Sequence, residues 1–147
     1  IVYKDAKLGG ILVEIVGEAN GTCLVVCGIG LNVSMNGSGL SIDQAWTDLR
    51  GVTNAKISRN CLAGRLCGTI LRTMVEYPSR GFGGYKRTWS ERDVLRDREV
   101  AIHSGDAMCM GIARGVGEDG ALIVEVAGEL RQFYGGDVTV RPVENVN

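Results

Sequence analysis

Lys7 followed closely by Gly9 and Gly10, and Gly28 and Gly30 followed by Asn32, are the residues of this chain whose types and spacing can do chemistry. A lysine supplies a positive charge that can neutralise a carboxylate or a phosphate. Glycines let a ligand approach the main chain, because no Cβ fills the space, and their amides can then donate hydrogen bonds to it directly. An asparagine offers a donor and an acceptor from one side chain. Together they suit a small anionic ligand lying along a backbone. Each feature also has an ordinary reading. Lys7 can be a solvated strand-end lysine, Asn32 a turn residue, and the glycines punctuation in a chain that has 22 of them. Residue types alone leave both readings open.

Other chemistries find less support. Gly28-Ile-Gly-Leu-Asn-Val33 misses the dinucleotide fingerprint, because its sixth position is Val33 and no helical pattern follows at once. Arg80-Gly-Phe-Gly-Gly84 follows a helix, where a phosphate loop follows a strand. The single histidine, His103, has no partner at metal-ligand spacing, and Cys23 and Cys27 lie inside an apolar run, so no metal site is expected. No Cys/His or Ser/His/Asp set can be argued from spacing.

The elements that must position Lys7, the glycines and Asn32 are strands. Ile1-Val-Tyr3, Gly10 to Val16 and Thr22 to Cys27 read as strands, with Gly17 to Gly21 as a hairpin connection and Asn20-Gly21 as its turn signal. Their nearly continuous apolar character predicts a sheet covered on one face and partly buried on the other, with Glu14 facing solvent. Residues 34–41 are small, polar and glycine-rich and read as a loop that a ligand could order. Ser41 is placed to cap a helix through Asp43, Ala45, Trp46 and Leu49 that Gly51 would end. From Ser58 the spacing of Leu62, Leu66, Ile70 and Met74 predicts a long core-facing helix, with Cys61 and Cys67 packed as small apolar residues and Pro78 as its stop. Tyr85 to Trp89 can add a short helix, and Glu91 to Glu99 reads as a charged surface connection. Residues 98–142 then show five short alternating strands with turns at Glu118-Asp-Gly120 and Ala127-Gly-Glu129, the texture of a small β-barrel. The domain boundary falls near residue 96, giving domains 1–95 and 96–147.

Composition narrows the class further. A chain of 147 residues, 45% hydrophobic and 22% charged with net charge -1, can bury a core, and it carries neither a basic nucleic-acid surface nor a solvating tail. Five cysteines, an odd set without paired-motif spacing, point to a reducing compartment and hence the cytoplasm. No run approaches the roughly 20 apolar residues of a membrane helix. The sequence starts at Ile1, in strand-like residues without methionine, as the remainder of a longer protein would.

With these residues on the page, the chain resembles the C-terminal part of the biotin protein ligases, the biotin–[acetyl-CoA-carboxylase] ligase family. Lys7-Leu-Gly-Gly-Ile-Leu-Val-Glu14 is similar to that family's central lysine-glycine segment, Gly28 to Val33 to its second ligand strand, and Gln44-Ala-Trp46 to the helix after its adenylate loop. Residues 98–142, ending in Gly135-Gly-Asp-Val-Thr-Val-Arg141, resemble its terminal SH3-like domain. The resemblance implies an α+β fold: a mixed β-sheet packed by helices, part of a class II synthetase-like catalytic domain, followed by a small SH3-like β-barrel.

It also implies a reaction. Biotin and ATP would give biotinyl-adenylate and pyrophosphate, with Mg accompanying the ATP, and the biotinyl group would pass to a lysine of biotin carboxyl carrier protein. Lys7 matches the catalytic lysine that contacts the biotin carboxylate and the α-phosphate. Gly9, Gly10, Leu12 and Gly28 match the biotin pocket, and Gly30, Asn32, Met35 and Trp46 the adenylate side, with Arg141 reaching ATP from the barrel. The loop 34–41 would order over the adenylate. The strand Val13 to Ala19 matches a dimer edge, so a homodimer is expected. DNA would be a partner only if an N-terminal helix-turn-helix exists in the parent protein. The family's glycine-arginine-rich biotin loop and its Lys-Trp-Pro-Asn-Asp segment are not within residues 1–147, so this chain alone is expected to be inactive. Two alternatives stay open: a non-catalytic binding module, and an acyltransferase of the lipoate-ligase type, against which the terminal barrel weighs.

Overall fold

The computed structural model describes residues 1–17, 24–35, 44–104, 107–135 and 138–143. The hairpin connection with Asn20-Gly21, Cys23, Ser41 and Asp43, most of the 34–41 loop, Ala19 and Gly136-Asp137 lie outside the described residues. The chain is α+β and forms two compact units, Ile1–Thr69 and Ile70–Asn147.

The first unit opens with a tight hairpin of β1 (Val2–Tyr3) and β2 (Ala6–Lys7). Its two turn residues, Lys4 and Asp5, both have positive φ, 48° and 62°, the geometry whose twist matches paired strands. β3 (Gly9–Val16) and β4 (Leu24–Leu31) then pair antiparallel along their whole length, from Gly9 opposite Leu31 to Val16 opposite Leu24. The expected burial of this pair is not found: Leu12 is 63% exposed, Ile15 73% and Leu24 61%, and the two strands form a two-stranded sheet with apolar side chains open on both faces. Apolar continuity marks a strand meant for two covered faces, and among the described residues of this unit nothing covers them fully.

The segment after residue 43 also departs from expectation. Trp46 is not helical. It forms a parallel bridge with Lys7, and the helix α1 begins three residues later (Leu49–Thr53). Asp48 is its N-cap, extended at φ -133°, ψ 165°, and its carboxylate accepts from the Gly51 amide. Gly51 therefore sits inside the helix, which ends at Asn54 with a left-handed φ of 54°.

The long helix α2 (Arg59–Arg80) starts just after Ser58, whose hydroxyl accepts from the Cys61 amide at 3.4 Å. Leu62, Leu66 and Ile70 are half-buried along one stripe, whereas Met74, Cys61 and Cys67 are exposed, so these cysteines are not packed as expected. Pro78 does not stop the helix either. In the last turn it removes one amide donor, and the helix runs on to Gly81, whose φ of 58° closes it.

In the second unit α3 (Gly83–Ser90) is followed by turns and a five-stranded antiparallel sheet in the order β8-β7-β6-β5-β9. The strands are β5 (Glu99–Ser104), β6 (Ala107–Val116), β7 (Leu122–Val126), β8 (Glu129–Phe133) and β9 (Val138–Pro142). All five lie where alternation placed them. The core is the inward row Val100, Ile102, Ala113 and Val124, packed by Leu95, Cys109, Leu122, Phe133 and Val140. Burying each of its larger side chains stabilises by about 1.5–3 kcal/mol. Gly111 is obligatory here, since a Cβ would lie 2.4 Å from the Glu125 carbonyl oxygen and 2.6 Å from Val124. Ala127 and Gly128, both with positive φ, turn β7 into β8. Among the described residues no helix is long and apolar enough to cross a membrane.

Candidate functional site

Register decides which residues of β3 and β4 can act together. Directly opposed residues of an antiparallel pair share a face, and faces alternate along each strand. Gly10 opposes Gly30 and Leu12 opposes Gly28, so these four positions form one patch on one face. A Cβ at Gly10 or Gly30 would meet nothing within 4 Å, and one at Gly28 would only graze Leu12 at 3.8 Å. This patch is therefore bare backbone with open space in front of it, floored by one leucine.

Gly9 is a different kind of glycine. It is buried on the opposite face, where an added Cβ would stand 2.3 Å from the Gly30 carbonyl oxygen and 2.8 Å from the Leu31 side chain. That opposite face also carries Ile29 and Leu31, which with Val33, Met35, Arg59, Leu62 and Leu66 line an open cleft of about 500 Å³ against the start of α2. The glycine patch and this cleft lie on different faces of β4, and Asn32 and Met35, just beyond that strand, also line the cleft.

At the end of the patch the main chain gathers around Asn32. The Lys7 amide donates to the Ala45 carbonyl and the Thr47 amide donates to the Lys7 carbonyl, both at 2.9 Å, which holds Trp46 beside Lys7. Asn32 Nδ2 donates to the Lys7 carbonyl at 3.2 Å and to the Thr47 carbonyl at 3.0 Å. Two carbonyl partners fix which way the amide faces, leaving Oδ1 as the available acceptor. The Asn32 amide donates to the Leu8 carbonyl, and the Asn32 carbonyl accepts from Leu49. Lys7 itself is exposed, and among the described residues no ion pair engages its ammonium.

One residue of this corner escaped sequence reasoning. Asp48 accepts from the Met35 amide through Oδ2 at 2.6 Å and from the Gly51 amide through Oδ1 at 2.7 Å. The Met35 amide first and the Gly51 amide second hold its carboxyl below the usual carboxylate range. An aspartate three residues before Gly51, just where helical propensity resumes, was the available signal.

Residues 97–141 match the family model of the biotin protein ligase C terminal domain. The chain is 33% identical over 143 residues to the bifunctional ligase/repressor BirA of Salmonella typhimurium, covering 95% of this chain and 44% of that protein. The chain belongs to the biotin protein ligase family. BirA of Escherichia coli is 31% identical over 98% of this chain and 45% of its own length, so the chain spans less than half of either BirA protein. The structure of the Aquifex aeolicus biotin protein ligase in complex with biotin and ATP superposes with a TM-score of 0.80 at 19% identity, over 96% of this chain and 58% of that one, which shows a shared fold.

Within a biotin protein ligase chain, then, the structure brings Gly10, Leu12, Gly28 and Gly30 onto one face and Lys7, Asn32 and Trp46 into one corner at its end. Met35 joins that corner through Asp48. Gly9 stands apart from the patch. Arg141 lies exposed on β9 opposite Ala101, in the second unit.

Proposed function

We propose that this chain supplies the lysine-glycine half of a biotinyl-adenylate site and the terminal domain of a biotin protein ligase. The observation that carries the reading is the bare patch of Gly10, Gly28 and Gly30 over Leu12, ending at a corner that holds Lys7 and Trp46 together. Backbone amides and an apolar floor suit a small bicyclic ligand such as biotin. The neighbouring corner offers a cation, an acceptor oxygen on Asn32 and an aromatic ring, which suit an adenylate. Biotin and ATP bound to a protein of the same fold support the choice of ligands.

In the first step the biotin carboxylate oxygen attacks the α-phosphorus of ATP and pyrophosphate leaves. Negative charge then grows on the non-bridging oxygens, and Lys7 stabilises it as a fixed cation. In the second step the ε-amine of a lysine on biotin carboxyl carrier protein attacks the acyl carbon and AMP departs. Excluding water protects the mixed anhydride between the steps. Among the described residues no group of three or more His, Cys, Asp or Glu side chains could hold a metal ion, so magnesium would arrive on the nucleotide's phosphates. Gly9 serves this site by close packing behind it. The terminal domain, extending from about residue 96, would be the SH3-like barrel, with residues 1–95 belonging to a class II synthetase-like catalytic domain. The matched span of 97–141 supports that boundary.

The free edge of β3, which pairs only with β4 among the described strands, supports a homodimer through Val13 and its neighbours. The BirA relatives are named as repressors, and any DNA binding would come from an added N-terminal module. Unpaired Cys27, Cys61, Cys67 and Cys109 suit a reducing cytoplasm.

The test is biotin-dependent ATP–pyrophosphate exchange in a protein carrying residues 1–147 together with the family's upstream segments. Lys7→Ala is expected to lower the rate by about a hundredfold, with thermal stability changed little. An unchanged rate removes Lys7 from the chemistry. Residues 1–147 by themselves are expected to show no exchange.

A further inference from the structure

Met35, at the end of the chain leaving β4, and Gly51, inside α1, are tied to the two oxygens of one carboxylate. The Asn32, Val33 and Met35 main chain is thereby joined to α1 at three points: Leu49 donates to the Asn32 carbonyl at 2.8 Å, Arg50 to the Val33 carbonyl at 3.1 Å, and Met35 to Asp48 at 2.6 Å. The first two are backbone bonds that any sequence could make. The third depends on residue 48. We propose that Asp48 is a positioning residue that sets the Asn32 to Met35 segment against the start of α1, which follows Trp46, and so fixes the nucleotide end of the site independently of the glycine patch. Its value for ligand binding rests on the adenylate reading of Asn32, Met35 and Trp46 given above.

The geometry explains why the residue is an acid. One helix-capping oxygen is enough for Gly51, and serine or asparagine would supply it. Accepting a second amide at the same time needs a second acceptor oxygen within reach, which only a carboxylate provides at this length. The Arg50 charge also favours the carboxylate form of Asp48, while the two short bonds from its oxygens go to the Met35 and Gly51 main-chain amides.

Two substitutions separate the clamp from the cap. Asp48→Ser keeps an acceptor for the Gly51 amide and cannot also reach Met35. Asp48→Asn keeps the cap but sets an NH₂ donor against the Met35 amide. Hydrogen exchange on residues 1–147 is the first readout. Both variants are expected to speed exchange at the Met35 amide by about tenfold, the cost of one charge-assisted bond, while Gly51 stays protected. Unchanged exchange at Met35 overturns the proposal. Calorimetric titration with biotin and with a non-hydrolysable biotinyl-adenylate mimic, on the protein that carries residues 1–147 together with the family's upstream segments, is the second. The variants are expected to weaken the mimic by about tenfold and biotin by less than about twofold. Equal weakening of both ligands, or none, overturns the positioning role and leaves Asp48 a helix cap. Wild-type chain that binds neither ligand counts against the adenylate reading, and the exchange result then decides the clamp by itself.

Discussion

Asn32 donates its side-chain amide to the main-chain carbonyl of Lys7 at 3.2 Å, across 25 residues of sequence. The same nitrogen reaches Thr47 at 3.0 Å. The asparagine that the family resemblance places against a nucleotide thus also fastens the end of β2 to the segment that carries Trp46. Positioning and recognition share one side chain, with Nδ2 committed to the protein and Oδ1 available to a ligand.

Removing that fastening has a defined cost. Asn32→Ala leaves the exposed Lys7 carbonyl and the half-buried Thr47 carbonyl each short of one partner and is expected to destabilise the first unit by about 1 kcal/mol. Asn32→Asp is expected to cost at least as much, because a carboxylate would face two carbonyl oxygens. Urea unfolding followed by Trp46 emission in a Trp89→Phe background measures both. Stability unchanged in both variants would show that the two bonds add nothing.

The glycines should divide into two groups. Gly9→Ala forces a Cβ to within 2.3 Å of the Gly30 carbonyl oxygen and is expected to destabilise by more than about 2 kcal/mol through backbone displacement. Gly10→Val and Gly30→Val add side chains in open space, and are expected to leave unfolding midpoints nearly unchanged while abolishing binding of a biotinyl-adenylate mimic. The reverse pattern would place the ligand elsewhere.

A pH dependence follows from the second unit. The Tyr134 hydroxyl donates to Asp119 Oδ2 at 2.8 Å; this bond, with the Ala121 amide next, lowers the Asp119 carboxyl, and the Asp119 carboxylate raises the Tyr134 hydroxyl. The lowered acid stabilises the fold above its unfolded value of about 4, and that contribution is lost as pH falls through the folded value. The raised phenol contributes fully below about 10, and its share is lost as pH rises through its folded value. Both groups are exposed, so the effect is small. Tyr134→Phe is therefore expected to differ most from wild type between these limits in chemical denaturation, with the difference shrinking on both sides. A difference independent of pH would contradict the charge-assisted bond.

What could be read in the sequence was what depends on neighbours along the chain. Strands β5 to β9 alternate in two-residue steps between glycine turns, and each is found within a few residues of its expected place. The long helix announced itself through Leu62, Leu66 and Ile70. What could not be read depends on pairing across the chain. Trp46 sits in a stretch with helical spacing, but its neighbours Ala45 and Thr47 exchange backbone bonds with Lys7, and that distant pairing overrides local propensity. Asp48 matters through Met35, thirteen residues earlier, which no periodicity reveals. Pro78 failed as a stop because a proline in the final turn removes only one bond from a helix already held elsewhere. Of the candidate site, the glycine patch was legible as composition and became a surface only once register paired Gly10 with Gly30.

The central claim is that one face of β3 and β4 receives biotin and the Lys7, Asn32 and Trp46 corner receives the nucleotide. Amide chemical-shift mapping of isotope-labelled residues 1–147, within a protein that also carries the family's upstream segments and titrated with a non-hydrolysable biotinyl-adenylate mimic, tests it most directly. The expected result is a saturable shift at Gly10, Leu12, Gly28 and Gly30 with a second group at Lys7, Asn32 and Trp46, while core amides such as Val100 and Val124 stay still. Shifts confined to Ile29, Leu31 and Leu62 around the cleft on the other face, or none at the glycines up to saturating mimic, would contradict it.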